Sequence, residues 1–153
     1  MDPTTTHTDQ LGSVRLRRAE LREALDATER ALAAPAVDRA VIWGEAVHDA
    51  LAVLADDFAA HIEVTERPGG LHQTILTADV RLANAVAALT AEHGSIAEEL
   101  AGLLADAAPP VTPPDVAQLR ERGTRMLGHL IRHRQRGADL IYEAFETDIG
   151  GAD

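Results

Sequence analysis

Cysteine is missing from all 153 residues of the chain. Its absence removes disulfide frameworks, Cys-ligated zinc and iron–sulfur clusters from consideration. Aromatic residues make up only 3%, so the 46% apolar content falls mainly to alanine and leucine. That composition favours helices, and no alternating valine- or isoleucine-rich run reads as a strand. The opening MDPTTTHTDQ has no basic segment followed by an apolar one, so no secretory leader is expected. No apolar run approaches the ~18 residues a bilayer span needs, and a cytoplasmic protein is the expectation. Positive charge is also scarce. The chain carries 14 basic against 25 acidic residues, a net charge of −11 and a pI near 5.0. This argues against nucleic acid and anionic membranes as partners. The arginines at 15, 17, 18 and 22, and those from Arg120 to Arg136, fall on amphipathic helices whose polar faces they solvate. No P-loop, dinucleotide fingerprint or Ser-His-Asp arrangement is present.

What the chain does contain reads as one domain with a sizeable core. Residues 1–10 are polar and threonine-rich and are expected to form a disordered tail. A first helix is predicted from about Leu11 to Ala33, ended by Ala34-Pro35. A second runs from about Val37 to Glu66, with Asp38 in its first turn favouring the helix dipole, and ends at Arg67-Pro68-Gly69-Gly70. Residues 71–78 read as a short helix or a returning segment. A third helix spans about Asp79 to Ala108 and stops at Pro109-Pro110. A fourth starts at Thr112-Pro113-Pro114-Asp115 and runs to about Asp148, closed by Gly150-Gly151. The bundle occupies residues 11–149, with 150–153 as a C-terminal tail. Four long helices with short connections predict an all-α, up-down-up-down four-helix bundle.

Three of these helices carry an apolar seam in steps of three and four. The seams are Val47, Leu51, Leu54, Phe58, His61 and Thr65; then Leu82, Val86, Leu89, His93, Ile96 and Leu100; then Met126, Leu130, His133, Gly137, Leu140 and Ala144. Such spacing faces a bundle interior. His61, His93 and His133 therefore stand where leucines belong. One such histidine is usually a satisfied core residue, but three at matched places point to a buried metal or polar site. A two-helix internal repeat sets Arg18 opposite His93 and brings Arg18, His61, His93 and His133 to one level. His129 precedes His133 by one turn, the spacing of a two-His clamp. Glu66 or Glu92 could add a carboxylate. A mid-helix glycine such as Gly137 costs about 1 kcal/mol against alanine; it makes room for a ligand or for the close approach of another helix, and close packing is the expected reason. His72, beyond the Pro-Gly-Gly break, is expected to face solvent.

These residues resemble the hemerythrin-like, or HHE cation-binding, domains. Glu92-His93-x-x-Ile96 matches the Glu-His with spaced aliphatics of that family's first and third helices. His61-x-x-x-Thr65-Glu66 matches in part its second and fourth helices, where acidic residues follow the histidine at the fourth and fifth steps. The resemblance covers roughly residues 12–148. It implies a bundle that binds two irons through histidines and bridging carboxylates, with dioxygen binding, oxygen or redox sensing, or iron handling as activities. The chain departs from the pattern where Arg18 replaces the helix-one histidine, where Thr65 replaces a carboxylate, and where Gly137 and Ala138 replace another. A guanidinium does not deprotonate in proteins and cannot ligate a cation.

The expected centre is accordingly a single non-haem iron or zinc on His61, His93 and His133. Glu66, Glu92 and His129 are secondary ligand candidates, and Arg18 would meet an anionic or dioxygen-derived ligand. The expected function is cation binding for oxygen or redox sensing or for metal handling, with an accompanying redox enzyme activity left open. The alternative is a degenerate, metal-free bundle acting as a regulatory module with a protein partner.

Overall fold

A computed structural model describes the backbone of residues 3–146 and the side chains of residues 12–145. Its elements are α1 (Pro3–Ala33), α2 (Ala40–Glu66), α3 (Leu71–Ala78), a 3-10 turn (Val80–Leu82), α4 (Ala83–Asp106), α5 (Pro113–Ile141) and a π turn (Tyr142–Glu146). The described residues include no strand. The four long helices pack together around one axis. Side-chain pairings fix their directions. Asp106, Glu99 and Glu92 of α4 meet Arg122, His129 and His133 of α5, so numbers fall along one helix as they rise along the other. On the other side, Arg120 and Arg18 bridge α5 and α1 by reaching Leu32 O and Arg134 O. Thr28 Oγ1 donates to Ala50 O between α1 and α2. Each long helix is thus antiparallel to its neighbours, the up-down-up-down arrangement.

Every seam residue named from the sequence is buried except half-buried Gly137, and Val14, Leu21, Leu25 and Leu32 of α1 are buried as well. The boundaries differ more. α1 begins at Pro3, so residues 3–10 continue the helix rather than forming a tail. A proline suits a first helical position, where its missing N–H has no partner to lose. α2 begins at Ala40 because Asp38 turns left-handed, with φ of 57°. Asp tolerates that conformation but cannot hold it inside a helix, so Asp38 lies before α2 rather than in its first turn. Residues 71–78 form a helix of their own, and Asp79 caps the turn after it by accepting from Arg81 N. Thr112 and Asp115 cap each other at the start of α5. The predicted helix end near Asp148 and the tail 150–153 lie outside the described residues. No helix among the described residues is long and apolar enough to cross a membrane.

The core divides in two. One cluster, from Leu21 through Phe58, Leu100 and Leu130 to Val116, fills most of the bundle. A smaller one gathers Val14, Leu71, Ile75, Leu82, Val86, Leu89, Leu140 and Ala144 beneath α3. The layer between them holds Arg18, His61, His93 and His133.

Candidate metal centre

His61 comes from α2, His93 from α4 and His133 from α5, and each is held in place by the seam on which it lies. They are 9%, 2% and 2% exposed. Their ring centroids are 5.1 Å (61–93), 5.6 Å (61–133) and 4.7 Å (93–133) apart. One nitrogen from each lies within 4.8 Å of the others. Phe58 floors the group, with its ring 5.8–6.0 Å from all three imidazoles. Above it is a cavity of about 30 Å³, lined by the histidines, Arg18, Thr65, His72 and Gly137 among others. That is room for one or two water-sized species.

Two of the imidazoles are anchored from behind. His93 Nδ1 lies 2.8 Å from Glu66 Oε2, and His133 Nδ1 lies 2.9 Å from Glu92 Oε2. An ionised carboxylate only accepts, so each Nδ1 carries the proton and each Nε2 keeps a free lone pair. Each carboxylate comes from the long helix preceding that of its histidine: Glu66 of α2 holds α4, and Glu92 of α4 holds α5. Arg136 pairs with the other oxygen of Glu92. His93 Nε2 is fully buried and has no hydrogen-bond partner. An orphaned lone pair in the interior costs roughly 1–3 kcal/mol, which a cation at this point would offset. Carboxylate on Nδ1 with Nε2 free is the arrangement that orients metal-binding histidines.

Electrostatics act in the same direction. Burial pushes the His61 pKa down to about 3, aided by His93, His133, His72 and Arg18. Burial likewise pushes His93 down to about 3, with His133 and His72 adding to the effect and Glu92 opposing it. His133 is also lowered by burial, although its bond to Glu92 opposes the shift. Burial works to raise Glu92, yet the His133 and Arg136 bonds leave it below the usual carboxylate range. The imidazoles are therefore neutral near pH 7, the form that ligates metals.

The sequence candidates separate into distinct roles. The three histidines converge. Glu66 and Glu92 do not reach inward; they are spent on Nδ1 atoms. His129 sits outside the group, half-exposed, with Nδ1 2.7 Å from Glu99. It lies four residues from His133 but meets α4 rather than the interior. Arg18 lines the cavity and donates to Arg134 O at 3.2 Å, not to Glu66. Burial and the neighbouring Arg134 charge lower its pKa. Thr65 Oγ1 donates to His61 O at 2.9 Å, so its hydroxyl is used within its own helix. Gly137 is not a point of close packing: a Cβ there would meet nothing within 4 Å. Its missing side chain leaves space in the cavity. His72 is buried, not solvent-facing. It stacks on His93 at 5.5 Å and 8°, with Nδ1 3.1 Å from Thr90 Oγ1. The spacing of Leu71, His72 and Ile75 carried that signal, since helical steps of three and four put all three on one face.

The two-iron ligand set of the hemerythrin-like pattern does not fit these residues. Both nearby carboxylates hold histidines, Arg18 occupies the fourth wall, and Gly137 offers no ligand. One ion on three imidazoles does fit. Tetrahedral bonds of ~2.0–2.1 Å place ligand nitrogens about 3.3 Å apart, so closing around an ion needs side-chain shifts of about 1 Å or less. Compared with family models, with curated proteins and with solved structures, the chain matches none.

Proposed function

We propose that this bundle is a metal-binding protein of hemerythrin-like type with a reduced ligand set. It holds one first-row divalent ion on His61, His93 and His133. The observation that carries the reading is His93, whose Nδ1 is fixed by Glu66 while its buried Nε2 has no partner. Three neutral imidazoles suit iron, zinc, copper or nickel; the lack of an inward carboxylate disfavours the harder ions, and the lack of thiolate the softest. The ion would keep a position toward the cavity, where Arg18 supports a small anionic or dioxygen-derived ligand. Oxygen or redox sensing and metal handling are the roles such a site serves.

Elemental analysis of tag-free protein tests this, alongside a His93→Ala variant. About one ion per chain, lost in the variant, is the expected result. Two ions per chain would restore the two-iron reading. No metal in either protein after reconstitution under reducing conditions would leave a metal-free regulatory bundle as the better account.

A further inference from the structure

α1 and α5 touch at two places and part between them. At one end a Cβ on Gly123 would lie 2.6 Å from Leu32 Cδ1, so the Leu32 side chain packs directly on the α5 backbone there. At the other, Arg18 reaches Arg134 O. Between these clamps lies a groove of about 640 Å³, well within the range of small-molecule sites. From Thr124 to Arg134 it runs along α5 for about 15 Å at 1.5 Å per residue. Its floor is apolar: Leu25, Leu32 and Leu127 are buried beneath it, and Ile131, 55% exposed, stands on its rim.

The ends of the groove are charged with the opposite sign to the molecule. Arg22, Arg120 and Arg134 line it, against Asp26 and Glu29, in a chain of net charge −11. Arg120 is already committed to Leu32 O and Ala34 O at 2.9 and 2.6 Å. Arg134 is not: its Nε is buried without an acceptor. Arg134 also lines the histidine cavity, so it forms the wall between the two spaces.

We propose that the α1–α5 groove binds an amphipathic monocarboxylate, its apolar body on Leu25, Leu32 and Leu127 and its carboxylate on Arg134 and Arg22. Three arginines against two carboxylates leave one positive charge in excess, which suits a monoanion rather than a phosphate ester or polyanion. A guanidinium fork matches a carboxylate in two parallel bonds. The site stands without a metal, although its head group would lie one side chain from the histidines.

Calorimetric titration of the full chain, stripped with a chelator, tests the proposal with decanoate, decanol and decyl phosphate as probes. Decanoate should bind at one site, and decanol at least about tenfold more weakly. Arg134→Gln and Arg22→Gln should each weaken decanoate about tenfold or more and leave decanol unchanged. Arg22 is exposed, so that variant keeps the test sound if the Arg134 variant folds poorly. His93→Ala should bind decanoate as the parent does, which separates this site from the metal reading. Equal affinity for decanol, tighter binding of decyl phosphate, no decanoate binding up to millimolar concentration, or indifference to Arg22→Gln would each overturn it.

Discussion

Acidifying the metal-free protein should weaken its fold in a pH window set by the histidine layer. His61 and His93 titrate near pH 3 when folded and near 6.5 in an unfolded chain. A lowered folded pKa means that the unfolded state takes up protons first. Stability is therefore fully present above pH 6.5 and falls as pH drops below it. At pH 5 the unfolded chain gains about 2 kcal/mol for each such histidine, or about 4 kcal/mol for the pair. The figure depends little on the folded values, provided both lie well under 5. Burial lowers His133 and His72 too, which adds in the same direction. A domain of typical stability, 5–15 kcal/mol, would lose a substantial share, and its Tm should fall by roughly 10 °C. Urea unfolding followed by circular dichroism, in chelator between pH 7.5 and pH 5, measures the slope directly. A His93→Gln variant should lose about 2 kcal/mol of that fall. An unfolding midpoint that stays level across this window would refute the neutral, buried assignment of these imidazoles.

Glu66→Gln should keep the helices but weaken metal binding roughly 10–100-fold, since the histidine behind which it sits loses its anchor; competition with a chelator reads this out, and unchanged affinity would show that Glu66 plays no part. Gly137→Ala should stabilise α5 by up to about 1 kcal/mol, because its Cβ enters open space. Gly44→Ala should instead cost about 1–3 kcal/mol, its Cβ landing 2.4 Å from Val111 Cβ; denaturant midpoints of the two variants shifting the same way would contradict these contacts. Phe58→Ala should cost about 3–5 kcal/mol and also reduce metal affinity, since it removes the floor that all three imidazoles share.

Much of this was legible in the sequence because helical periodicity is a strong, local signal. The seams of α2, α4 and α5 needed only the steps of three and four, and the same steps put His61, His93 and His133 inward. What periodicity could not supply was direction across the bundle. Glu66 and Glu92 stood as secondary ligand candidates because Glu66 follows His61 by five residues and Glu92 immediately precedes His93. Helix rotation aims them instead at the Nδ1 atom of the next helix's histidine, a relation visible only once helices are placed side by side. The i,i+4 spacing of His129 and His133 left an exposed place as open as a ligand role, and His129 meets Glu99 across the α4–α5 face. His72 was missed because residues 71–78 read as a helix or a returning segment, and only a helix puts Leu71, His72 and Ile75 on one face. Gly137 was read as a contact because a glycine's usual purpose is closeness, and here its use is the space it leaves.

The polar layer that interrupts the apolar interior has a dynamic consequence. Two apolar clusters separated by a layer of histidines and Arg18 share fewer cohesive contacts than one continuous core. The smaller, under α3, can then open as a unit while the larger stays closed. Amide hydrogens of α3 and the start of α4 should exchange faster than those around Leu100 and Leu130. Such breathing is also how an ion could reach so small and enclosed a space. Once bound to α2, α4 and α5 together, the ion would stitch the loosest end of the molecule shut.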